Sequence, residues 1–218
     1  MNPYSHLVIA SQLEKDIMPT LPNEYYWGAV VPDIRHICGL RRSQTHLSPE
    51  LLVGLTGRHP QLKSFIQGYL IHCLTDLVEL KLLLQQQILL RPLLHLWPQK
   101  LLVILIEAFF IESMPLQKQI SGQPNQILRD MGVTDEKSGQ FDQIMRTFLA
   151  QPSLEAEMGF VKAYGTNLRL EMYTEAIRKI QKSTFLKSIL FTLANPDKLN
   201  QQVLSQIRQA ETFKKIRE

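Results

Sequence analysis

Apolar residues recur along this chain at every third or fourth position, and no run alternates convincingly with a period of two. The pattern predicts a helix over 4–17 and a short helix or bend in "YYWGAVVPDIRHI", interrupted by Pro32. Ser48 and Pro49 open another helix in "SPELLVGL", and a long one follows His59 and Pro60, running to about Gln87. Further helices are expected over 99–113, 124–131, 135–150, 153–182 and 184–193, and a last one, capped at Asn195 and Pro196, runs to the C-terminus. The expected fold is all-α, a multi-helix bundle. Gly122 and Pro124 punctuate "QISGQPNQ", which divides a helical core of residues 1–115 from a helical C-terminal region, 116–218, packed on it.

One stretch of the long helix does not fit a plain core. In "FIQGYLIHCLTDLVEL", His72 and Asp76 are four residues apart and share a face with Phe65, Tyr69 and Leu80. A buried, unpaired carboxylate is costly. The pair reads either as a hydrogen-bonded His–Asp couple in a core without metal, or as part of a metal site whose dication offsets the burial. Glu107, flanked by apolar residues in "VILIEAF", raises the same question; its partner is expected to be a metal, an arginine such as Arg91, or solvent along a surface stripe.

Composition narrows the class. The chain has 218 residues, 44% hydrophobic and 20% charged, which is ordinary for a globular protein. Its net charge of +4 is small, and the basic tail "RQAETFKKIRE" reads as a solvated helix end. There is no clear nucleic-acid signal, since helix-turn-helix and RNA-recognition signatures are absent. Glycine-rich phosphate loops and a nucleophile elbow are absent too. Cys38 and Cys73 form neither a disulfide framework nor a CxxC motif. The N-terminal "MNPYSHLVIASQLEKD" lacks the features of a secretory leader, so the expected location is cytoplasmic. "LLVILIEAFFI" at 101–111 is about half the ~20 residues that span a bilayer, though it leaves peripheral membrane contact open.

All six histidines (His6, His36, His46, His59, His72 and His95) lie in the first 95 residues. Four short motifs contain the candidates: "SHLVI" with His6, "GAVVPD" with Asp33, "TH" with His46, and "GYLIHCLTD" with His72 and Asp76. Imidazoles and carboxylates suit zinc and other borderline divalent ions. His36 reads as a supporting or surface residue, His59 as an exposed loop residue, and Tyr25, Tyr26 and Trp27 as core aromatics or as packing for a headgroup or base.

In this order the motifs resemble those of the zinc-dependent phospholipase C family, including its bacterial phospholipase C-like members, over roughly residues 4–80. The resemblance implies a phospholipase C-like helical bundle in which Asp33, His46, His72 and Asp76 hold one zinc, or another divalent metal ion. It further implies that His6, with help from Asp76, belongs to a second site, and that Asp33 doubles as the catalytic base. Family members continue with a further histidine and an HxxxE pair. Here "DLVELKLLLQQQ" has no histidine, and the residue four before Glu107 is Val103. A reduced metal centre is therefore expected. The implied function is a metal-dependent phosphoesterase acting on a phospholipid or small phosphodiester. The alternative is a non-catalytic helical protein whose structural or vestigial metal site serves protein or membrane-surface interaction.

Overall fold

The computed structural model describes residues 3–94, 107–116, 118–120, 122–153 and 195–217, with isolated positions between 155 and 188. His95, residues 99–106, and most of the helices expected over 153–182 and 184–193 lie outside the described residues. The chain is all-α, and no strand occurs among the described residues. In order come α1 (Pro3–Ile17), α2 (Pro22–Val30), a 3-10 turn (Val31–Ile34), α3 (Arg35–Cys38), α4 (Arg42–Thr45) and α5 (Pro49–Arg58). A second 3-10 turn (Pro60–Leu62) leads into α6 (Lys63–Leu94). Then follow α7 (107–113), α8 (Gln126–Asp130), α9 (Asp135–Ala150), α10 (Pro196–Gln209) and α11 (Glu211–Arg217).

Local chemistry explains three of the helix starts. Ser48 accepts from the Leu51 N–H, Thr134 from Lys137, and Asn195 from Lys198, each satisfying an orphan donor of a first turn. Three boundaries depart from expectation. The α-helix before Pro32 ends at Val30, as expected, but the chain goes on as a 3-10 turn with Pro32 in its first turn, where a missing N–H costs nothing, and not as a bend. α6 continues past Gln87 to Leu94. The last helix is split at Ala210, whose extended backbone (φ −64°, ψ 131°) turns α11 onto α5 and α6. That turn buries Phe213 and Ile216 while Lys214, Lys215 and Arg217 stay in solvent.

The bundle is organised by α2 crossing α6. A Cβ on Gly68 would lie 1.8 Å from the Tyr25 carbonyl oxygen, and one on Gly28 would lie 2.0 Å from that of Phe65. The two backbones thus meet where no side chain intervenes, an approach that only glycine permits. Around this crossing Tyr25, Tyr26 and Trp27 are buried to within 1%. They are core aromatics: Tyr25 donates to the Ala10 carbonyl (2.9 Å), Tyr26 to Glu14 (2.7 Å), and Trp27 packs on Phe141 of α9. One contiguous core runs from Tyr4 and Leu7 through Phe141 and Phe148 to Phe213 and Ile216, so residues on both sides of "QISGQPNQ" share it. Ala108 and Phe110 of α7 are buried too, and among the described residues no helix is long and apolar enough to cross a membrane.

Gly68→Ala should therefore force α2 and α6 apart and cost about 1–3 kcal/mol or more, read as a lower urea midpoint. Gly139→Ala, at an exposed site in α9 with open space around it, should be neutral or stabilising by up to ~1 kcal/mol. Equal effects of the two substitutions would contradict the close crossing.

Candidate metal centre

Four elements deliver the five candidate residues to one place. α1 carries His6, the 3-10 turn after α2 carries Asp33, the residue closing α4 is His46, and α6 carries His72 and Asp76. His6 and His72 are fully buried, and Asp33 and Asp76 are each 7% exposed. The rings of His6 and His72 stack with centroids 3.7 Å apart, and the His46 ring meets His72 edge-on at 5.1 Å.

His72 is the pivot. Its Nδ1 lies 2.8 Å from the carbonyl oxygen of Ala29, in the last turn of α2. Burial, reinforced by His6, keeps the imidazole pKa well below its ordinary value, so the ring is neutral. Nδ1–H therefore donates to Ala29, and the Nε2 lone pair points into the cluster. Gly28 and Gly68 make that bond reachable, because they let the end of α2 come down onto α6.

His72 Nε2 lies 3.3 Å from His46 Nε2 and 3.7 Å from Asp76 Oδ2, and His46 Nε2 is 3.0 Å from the same oxygen. The edges of this triangle bracket the ~3.4 Å separation of donors around a tetrahedral ion with ~2.1 Å bonds. His6, Asp33 and His72 form a second three-donor set, their donor atoms within 4.8 Å of one another. Both sets draw on His72, whose single free lone pair can serve only one ion, so they are overlapping halves of one centre. The expected quartet of Asp33, His46, His72 and Asp76 is thus divided: Asp33 groups with His6.

The donors fit a divalent ion on a further ground. His6 Nε2 faces Asp76 Oδ1 at 3.4 Å, too poorly aligned to count as a hydrogen bond, and neither of its buried ring nitrogens has a hydrogen-bond partner. A fully buried imidazole left this way is costly, and His6 belongs to the set with Asp33 and His72, beside the triangle and not in it. Burial alone would raise the Asp76 carboxyl pKa, but the facing His46 and His6 outweigh it and hold the group well below the usual carboxylate range. Asp76 is therefore an anion, the form that ligates metal.

Supporting residues come from beyond the five. Tyr69, one turn before His72, donates its buried hydroxyl to the Thr45 carbonyl and so anchors the residue next to His46. Thr45 Oγ1 in turn lies 3.1 Å from His46 Nδ1. Arg42, at the start of α4, hydrogen-bonds Asp76 Oδ2, and Arg35 Nε lies 4.0 Å from Asp33 Oδ1. His36 and His59 belong to neither donor set.

Glu107 is fully buried and ligates nothing in this cluster. Its carboxylate accepts from the N–H groups of Tyr4 (2.6 Å) and Ser5 (3.0 Å) and from the Ser5 hydroxyl. These are orphan donors of the first turn of α1, so a residue of α7 caps the helix that carries His6. Burial pushes the Glu107 carboxyl up to about 7, against the pull of Ser5 and Tyr4. No sequence signal short of pairing α7 with α1 identifies that partner.

No family model matches this chain, and no curated protein or solved structure does either.

Because the folded-state pKa of Glu107 exceeds its unfolded value of 4.5, the associated stability is full below pH 4.5 and is lost as pH rises through about 7. Glu107→Gln should flatten the pH dependence of unfolding between those values. An unchanged slope in chemical denaturation across that range would show that Glu107 does not titrate there.

Proposed function

We propose that this chain is a metal-dependent hydrolase of phosphate esters, phospholipase C-like in its ligand arrangement, with zinc the ion its donors suit. The observation that carries the reading is the triangle of His46 Nε2, His72 Nε2 and Asp76 Oδ2. Three protein donors at tetrahedral spacing, two imidazoles and a carboxylate, are the set used by catalytic zinc, whereas structural sites close with four. Zinc bound there would supply Lewis acidity, polarising a phosphoryl oxygen and making water acidic near neutral pH.

The chain's own residues supply the remainder. Asp33, in the adjoining donor set, is the candidate acceptor for the proton of the attacking water. Ala29 and Thr45 orient the imidazoles, and the packed surroundings exclude bulk water from His6 and His72. The resemblance of the motifs to the phospholipase C family is what points to a small phosphodiester or a phospholipid headgroup as substrate. The second reading, a structural or vestigial metal site, draws on the missing downstream histidine and on Glu107, whose carboxylate is committed to capping α1.

Purified protein should contain about one equivalent of zinc by mass spectrometry. Asp76→Ala should lose it. Asp33→Asn should keep the ion while lowering phosphodiester turnover by roughly a hundredfold or more. Absence of metal from the wild type would sink both readings. Stoichiometric metal that is needed for folding, with no turnover across phosphodiesters and phospholipids, would select the structural one.

A further inference from the structure

Arg42 stands apart from its neighbours in the cluster. Its side chain is 53% exposed, against 6% for Asp76, 8% for His46 and 0% for His72, so it sits at the solvent edge. It hydrogen-bonds Asp76 Oδ2, the same oxygen that completes the donor triangle, while Oδ1 faces His6. The other carboxylate of the centre, Asp33, has its own guanidinium, Arg35, which is only 23% exposed. Both acidic ligands therefore already have a monovalent counter-ion.

A dication about 2 Å from Oδ2 would add two positive charges next to the Arg42 guanidinium. In a partly buried setting such like charges repel strongly. Arg35 is the more enclosed of the two arginines, whereas Arg42 has a long flexible stem and open solvent beside it. On leaving Oδ2 it would remain at the mouth of the centre with its N–H fork unsatisfied. That fork matches two oxygens of a phosphate.

We propose that Arg42 and a divalent cation exchange at Asp76 Oδ2, and that the released guanidinium takes a phosphate-type oxyanion, so that metal and oxyanion bind cooperatively. The proposal rests on the metal reading above and deepens it, naming the ligand class and the residue that couples the two. Linkage makes the coupling reciprocal: phosphate tightens the metal by the factor by which metal tightens phosphate. A guanidinium that merely oriented Asp76 would act oppositely, since its removal would weaken metal binding.

The test is a cobalt(II) titration of the full chain, followed by the ion's visible absorption, with and without inorganic phosphate kept too dilute to sequester the metal. Wild type, Arg42→Gln and the charge-preserving Arg42→Lys are compared, each checked for folding by thermal unfolding in chelator. Without phosphate, Arg42→Gln should bind cobalt about tenfold more tightly than wild type, and Arg42→Lys should stay close to wild type. Phosphate should tighten cobalt several-fold in wild type and have little effect in Arg42→Gln. Equal or weaker cobalt binding by Arg42→Gln, or the same phosphate effect in both, overturns the exchange while leaving the metal reading in place. Failure of all three proteins to bind cobalt overturns that reading as well.

Discussion

The close passage of α2 over α6 is the constraint on which the centre depends. Two glycines, Gly28 and Gly68, let the backbones touch, and the carbonyl of Ala29 then lies within hydrogen-bond reach of His72. That one hydrogen bond selects the imidazole tautomer and turns Nε2 toward His46 and Asp76. The next turn back on α6 places Tyr69 against the Thr45 carbonyl, which sets the position of His46. A helix–helix packing decision thus becomes a decision about which lone pairs converge. Widening the crossing by the width of a methyl group would separate the carbonyl from the ring before it disturbed anything in solvent.

Electrostatics then settles the state of each group. Asp76 sits among three imidazoles and an arginine and stays ionised despite its burial, while His72 stays neutral because it is buried and flanked by His6. The cluster is costly as it stands, since His6 has two buried nitrogens without hydrogen bonds. The thiol of the adjacent Cys73 is pushed up by burial and is no competitor as an anionic donor. Glu107 is outside both donor sets and braces the first turn of α1, holding the backbone of Tyr4 and Ser5 just before His6.

Much of this was legible in the sequence, and the limits are physical. The four-residue spacing of His72 and Asp76 puts them on one face of any helix, and the capping residues Ser48 and Asn195 mark starts that the backbone uses. The break at Ala210 has neither glycine nor proline to announce it; it arises because α11 is turned onto α5 and α6. Glu107 visibly needed a partner, but that partner is backbone N–H, which no residue pattern reveals. Arg42 is one of two adjacent arginines in "LRRSQTH", and its role exists only because the start of α4 comes to rest beside Asp76. The pairing of Asp33 with His6, instead of with His46 and Asp76, likewise depends on how α1 and the 3-10 turn approach α6.

The central claim is that one ion is held where His46, His72 and Asp76 converge. Anomalous diffraction at the zinc edge from crystals of the zinc-loaded protein tests it most directly. The account predicts a single strong peak about 2 Å from His46 Nε2, His72 Nε2 and Asp76 Oδ2. A peak only at residues outside the cluster, such as the half-buried His59, or no ordered peak in the cluster, would contradict it.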